Sequence, residues 1–266
     1  MNLYCLPHAG GSAAMYLAWR SRLDASLDLV PVELSGHGRR VLAPLHNSFR
    51  EVLDDVVTEV TRSPVPADYA LFGHSFGAIL AFELAHELVA RGHSAPRHIF
   101  ISASCAPARV GELEIPLPEG NRELLTSLVY LGGTPHEILA DDEAVELFAP
   151  ILRADLHALF DYRFVPRAAL DCGISILLGS TDTVATDVDA ELWSQLTSGS
   201  ARAHVIEGGH FAAFEQPGLV AAHVNATLRF GPTLRSHART DRALGRAGPM
   251  RDRDDPDHVS VYSRTP

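Results

Sequence analysis

The chain has 266 residues, 46% of them hydrophobic and 21% charged, which suffices for one large core without a metal or disulfide staple. Its formal net charge of -11 argues against a nucleic-acid partner, and no run of eighteen apolar residues is available to span a membrane. The three cysteines, Cys5, Cys105 and Cys172, have no metal-ligand spacing, and so sparse and odd a count fits a reducing cytoplasm.

Predicted elements alternate along the chain. Residues 2–6 read as a short strand, and the opening MNLYCLP lacks the basic start of a secretory signal. The strand runs into His8-Ala9-Gly10-Gly11, and residues 15–23 carry apolar side chains at helical spacing. Residues 27–33 form a second strand, followed by the loop Ser35-Gly36-His37-Gly38. The spacing of Phe49, Val52, Leu53, Val56, Val57 and Val60 predicts a helix over 48–61. A short buried strand at 69–73 leads to a helix at 77–91, which Gly92 stops. Strands follow at 98–102, 174–179 and 203–207, with a terminal helix at 218–230. Strands separated by helices imply a mostly parallel central sheet with helices on both faces, an α/β fold.

Between residues 107 and 169 the strand pattern lapses. Residues 121–131 and 141–162 read instead as amphipathic helices, a helical insertion expected to form a lid, with Leu124, Leu125, Leu128, Leu147, Leu152 and Leu156 on its inner stripe. Residues 1–231 are therefore taken as one domain. Residues 232–266 are rich in Arg, Asp, Pro and His, have few large apolar side chains, and are expected to be a disordered tail.

The strongest chemical signal is Gly73-His74-Ser75-Phe76-Gly77 between a strand and a helix, the setting of a nucleophile elbow. The small residues on either side leave room for a sharp turn, and Ser75 stands at the positive end of the helix. A serine hydroxyl needs a base, and in this fold the chain order is serine, acid, histidine. Asp182 follows the strand at 174–179 and His210 follows the strand at 203–207, both at the carboxyl ends where open α/β sheets place their sites. Asp187 and Asp189 are close enough to stay open as alternative acids, whereas Asp171 lies at the wrong end of its strand. For the oxyanion, the amides of Phe76 and Ala9 are the expected donors. His8 and His74 are expected to support the site from behind. No P-loop or dinucleotide fingerprint appears, and His86-Glu87 lacks the second histidine of a zinc helix, so neither cofactor nor metal is expected.

With these residues in place, the chain resembles the type II thioesterases that accompany polyketide synthases and nonribosomal peptide synthetases. Leu6-Pro-His-Ala-Gly-Gly-Ser, Gly73-His-Ser-Phe-Gly and Gly208-Gly-His-Phe carry the likeness. So do Leu131-Gly-Gly-Thr-Pro-His-Glu-Ile-Leu, Pro150-Ile-Leu-Arg-Ala-Asp155-Leu and Trp193, over about residues 1–230. Phe76 departs from the Met usual in that family, and Ser35 and His37 from its Pro and Arg. The resemblance implies an α/β-hydrolase that clears stalled or misprimed acyl groups from the phosphopantetheine arm of an acyl or peptidyl carrier protein. A monomer without membrane or nucleic-acid contacts is expected. Two other classes stay open: a carboxylesterase or medium-chain fatty acyl-carrier thioesterase of the same fold, and a non-catalytic binding protein.

Overall fold

The computed structural model describes residues 1–133 and 136–230, apart from the side chains of Tyr130 and Phe230. The tail expected over 232–266 lies outside the described residues. Six strands, β1 (Asn2–Leu6), β2 (Asp28–Pro31), β3 (Tyr69–His74), β4 (His98–Ser102), β5 (Gly173–Gly179) and β6 (Ala201–Ile206), form one sheet in the order β2-β1-β3-β4-β5-β6. Every pairing is parallel. The helices are α1 (Phe49–Thr61), α2 (Phe76–Ala90), α3 (Asn121–Ser127), α4 (His136–Ala140), α5 (Asp142–Asp161), α6 (Asp187–Ser194), α7 (Ala212–Glu215) and α8 (Pro217–Phe230).

The period-two geometry of a strand divides the apolar residues between two cores. On β1, Tyr4 and Leu6 join one cluster while Leu3 and Cys5 join the other; on β3, Tyr69 and Leu71 oppose Ala70 and Phe72. The first cluster takes in α1, α2, α5 and α6, and the second the 3-10 segment Ala13–Trp19 together with α7 and α8. Burial on both faces explains why these strands read as continuous apolar runs. All three cysteines are buried and unpaired, acting as small apolar core residues.

Several boundaries depart from the sequence reading. Residues 15–23 were expected to be helical; the segment is a 3-10 stretch, Ala13–Trp19, that packs Tyr16 and Trp19 inward. The helix expected over 121–131 ends at Ser127 and continues as a 3-10 turn, Val129–Leu131, closed by Gly132 at φ 89°. Helix α6 was not foreseen, although Thr186 and Asp189 form a capping box at its start.

The order of the strands fixes where a site can form. From β1 the chain passes to β2 on one side, then returns to place β3 on the other, so the carboxyl ends of β1 and β3 border a topological switch point. Leu6 pairs with Gly73 at that edge, which sets the loop after β1 beside Ser75. Helices α3, α4 and α5, inserted between β4 and β5, contribute residues that close the space above.

Candidate active site

Ser75 occupies the turn between β3 and α2 with φ 53° and ψ -118°, a left-handed conformation that costs a non-glycine residue about 1–3 kcal/mol. The surrounding packing imposes it. The Ser75 amide donates to the Ser102 carbonyl at 2.8 Å. A Cβ on Gly73 would lie 2.1 Å from the Gly77 carbonyl oxygen, and one on Gly77 would lie 2.3 Å from the Leu6 carbonyl oxygen. Both glycines are thus required by close backbone approach.

Asp182 and His210 come from the loops after β5 and β6. These loops are stitched together: the Thr181 amide donates to the Gly208 carbonyl at 2.9 Å, and the Gly208 amide to Ser180 Oγ at 3.1 Å. His210 Nδ1 lies 3.0 and 3.1 Å from the two carboxylate oxygens of Asp182. Both side chains are buried, at 4% and 0% exposure. A carboxylate only accepts, so Nδ1 carries a hydrogen, and the tautomer of the neutral ring is the one that leaves the lone pair on Nε2. The Asp182 carboxylate is itself held by the Val184 amide at 2.8 Å. Asp189 is committed elsewhere. Its oxygens accept from the Ala106 amide, Arg109 and Thr186, which removes it as an alternative acid.

Ser75 and His210 line a cavity of about 150 Å³ together with Ala9 and Gly10, and a smaller space of about 30 Å³ together with Phe76. Among the described hydrogen bonds none joins Ser75 to His210, a contact that commonly tightens only when substrate binds. Apart from His8 and Gly133, the remaining wall of the larger cavity is apolar: Ile115, Leu125, Leu128, Leu131, Ile138, Phe148, Leu152, Leu156, Leu159 and Phe211. Of the expected inner stripe, Leu125, Leu128, Leu152 and Leu156 are there. Leu124 is buried in the core instead, and Leu147 is 50% exposed, its place on the wall taken by Phe148 one residue on.

The amide of Phe76 opens α2 and so has no partner within the helix. In the loop after β1, the Gly11 amide donates to the His8 carbonyl at 2.9 Å, and His8 Nδ1 donates to the Ala9 carbonyl at 2.8 Å. A trans peptide sets N–H opposite C=O, so the Gly11–His8 bond orients the Ala9 amide, while the bond from His8 Nδ1 orients the peptide that follows it. His8 and His74 pack behind the site, their ring centroids 6.0 Å apart, and His74 lies 5.3 Å from His210. Burial pushes His8 down to about 4, and burial followed by the neighbouring His210 and His8 holds His74 well below the ordinary histidine range. Neither adds a positive charge beside His210. The sequence reading named Asp155 and His37 only as parts of the family likeness and gave them no role; they meet at 2.9 Å, and a polar residue on an otherwise apolar helical stripe was the available signal.

A parallel sheet, a strained serine between strand and helix, and a buried histidine–carboxylate pair on the next loops define an α/β-hydrolase. The comparisons with known proteins give the family. Residues 1–228 match the thioesterase domain. The medium-chain S-acyl fatty acid synthase thioesterase of Rattus norvegicus is 33% identical over 214 residues, covering 79% of this chain and 80% of its own. The crystal structure of ClbQ, from the colibactin NRPS/PKS pathway, superposes with TM-score 0.81 at 33% identity, covering 86% of this chain and 96% of that one. RedJ, a thioesterase of the prodiginine pathway in Streptomyces coelicolor, gives TM-score 0.78 at 32% identity over 85% of this chain and 84% of its own. The chain belongs to the thioesterase family, and it is a hydrolase.

Proposed function

We propose that this enzyme hydrolyses short acyl groups from the phosphopantetheine arm of carrier proteins, clearing stalled or misprimed units in polyketide or nonribosomal peptide biosynthesis. Ser75 is the nucleophile, His210 the base and Asp182 the group that orients it. Ser75 Oγ attacks the thioester carbonyl as its proton passes to His210 Nε2, and the amides of Ala9 and Phe76 bind the oxyanion. The C–S bond then breaks, with His210 returning the proton to the leaving sulfur. Water, losing a proton to His210, attacks the acyl-serine ester; the ester C–O bond breaks as His210 returns that proton to Ser75 Oγ, freeing a carboxylic acid. His210, paired with the buried Asp182 and lining the same cavity as the strained Ser75, carries this reading.

The helices α3 to α5 act as the lid. Their leucines supply an apolar wall for the acyl group while the carrier stays outside, and the enzyme works as a cytoplasmic monomer. The second reading is release of medium-chain fatty acids, which the likeness to the rat enzyme favours. The volume of the cavity, about 150 Å³, is the scale that holds one benzene ring and favours the short acyl groups of the first reading. The test compares turnover of acetyl-, hexanoyl- and dodecanoyl-carrier protein with that of a simple ester. Preference for the two shorter carrier thioesters is expected. Preference for dodecanoyl supports the second reading, and preference for the ester removes the carrier protein from the account.

A further inference from the structure

One buried carboxylate ties together three segments that converge on the site. Asp155 lies on α5 between Leu152 and Leu156, both of which line the acyl cavity, and it is 2% exposed. Its Oδ2 accepts from the Gly10 amide at 2.7 Å and faces His37 Nε2 at 2.9 Å. His37, in the loop after β2, is equally buried, and its Nδ1 lies 2.9 Å from the Ser35 carbonyl. Both ring nitrogens therefore face acceptors, the arrangement that suits an imidazolium paired with a carboxylate. Burial works against that charge, but the hydrogen bond and charge of Asp155 outweigh it and raise the His37 pKa.

The Gly10 amide belongs to the peptide that follows Ala9. Gly10 has φ 75°, and a Cβ there would lie 3.3 Å from Leu152 Cδ1, so the loop rests directly on α5. The Ala9–Gly10 peptide is thus held at both ends: its carbonyl by His8 Nδ1 and its N–H by Asp155. Moving α5 outward would release the Gly10 N–H and leave the adjacent Ala9 amide held only through the Gly11–His8 bond.

We propose that Asp155 is a positioning residue that couples the acyl-cavity helix to the oxyanion loop, so that the Ala9 amide, already tethered through the Gly11–His8 bond, is fully held only while α5 is seated against the loop. The inference rests on the oxyanion role proposed above for Ala9. An acyl group that fills the cavity and seats α5 would organise the donor needed for its own hydrolysis. A chain that displaces α5 would loosen it.

The test uses Asp155→Ala and Asp155→Asn, with Ser75→Ala as a control for the parent reading. Asp155→Ala should lower kcat about 10- to 100-fold, the scale of a misaligned oxyanion donor, with KM within about twofold. Affinity for a short alkyl trifluoromethyl ketone, which forms an oxyanion on Ser75, should fall by the same factor, while affinity for the product carboxylate stays unchanged. Asp155→Asn keeps an acceptor for Gly10 and should recover most of kcat. Should the alanine variant not fold, the double variant His37→Leu, Asp155→Leu leaves no buried charge unpaired, and the same kcat loss is expected of it. Unchanged kcat in the folded variants overturns the proposal. So does a parallel loss of trifluoromethyl ketone and product binding, which marks general disorder. If Ser75→Ala retains turnover, the parent reading has failed instead.

Discussion

Gly77→Ala sets two effects of opposite sign against each other. Gly77 lies in the first turn of α2, where helix propensity alone favours alanine by about 1 kcal/mol. The new Cβ, however, would stand 2.3 Å from the Leu6 carbonyl oxygen and 2.4 Å from that of Pro7. Neither atom is the end of a flexible side chain; both are backbone of the segment that carries Ala9. To open the contact to 3.0 Å the loop must move by about 0.7 Å. Overpacking of this kind costs about 1–3 kcal/mol, which exceeds the propensity gain over most of its range. For a chain of this size the melting temperature should fall by several degrees, at about 2–4 °C per kcal/mol. A misplacement of about 1 Å can cost roughly 10²-fold in rate, so 0.7 Å should lower kcat/KM by about 10- to 100-fold. The assay is hydrolysis of a short acyl-pantetheine thioester alongside thermal denaturation. A raised melting temperature with kcat/KM within twofold of wild type would refute the packing of elbow on loop.

Three further outcomes are expected. Asp182→Asn should fold and lower the rate by roughly 10⁴-fold, because the amide no longer fixes the imidazole tautomer; a silent Asp182→Asn removes Asp182 from the triad. Leu128→Trp, on the cavity wall, should shorten the longest acyl chain accepted while leaving acetyl turnover nearly unchanged, as a series of chain lengths would reveal. Acid should also destabilise the fold through histidines that stay neutral inside it. Burial, with repulsion from neighbouring histidines, lowers His98 and His223 to about 4, and burial lowers His8 to about 4, whereas unfolded histidines protonate near about 6.5. The unfolded state thus binds more protons between these values. The contribution of these three histidines is full above about pH 6.5 and declines as the pH falls toward 4, outweighing the opposite trend of His37, whose raised pKa favours the fold at low pH. A melting temperature that holds constant or rises over that window contradicts this.

The elements legible in the sequence were those whose local pattern and tertiary role agree. Strands β1, β3 and β4 are short apolar runs because both sheet faces are covered, and α1 is announced by its stripe and by Ser48 and Glu51, which form a capping box. Ser75, Asp182 and His210 could be nominated because each follows a strand at its carboxyl end, a rule of topology rather than of contact. What could not be read depends on long-range packing. Leu147 and Phe148 are adjacent, partly exposed apolar residues on α5, and only the seating of that helix decides that Phe148 lines the cavity while Leu147 does not. Asp155 shows the same limit. Its bond to Gly10 spans 145 positions, and nothing local pairs a helical carboxylate with a loop amide so distant. Asp189 was open as an acid until Arg109 and the Ala106 amide were found on its carboxylate.

The most direct test of the account traps the acyl-enzyme. The protein is mixed with a short-chain acyl-pantetheine thioester, quenched in acid within milliseconds, and digested for peptide mass spectrometry, with a fluorophosphonate as an irreversible parallel probe. The account predicts one adduct, on Ser75, from both reagents. It should be absent in Ser75→Ala and form far more slowly in His210→Ala. Undiminished hydrolysis with no adduct on Ser75, or an adduct on another residue that persists in Ser75→Ala, would contradict it.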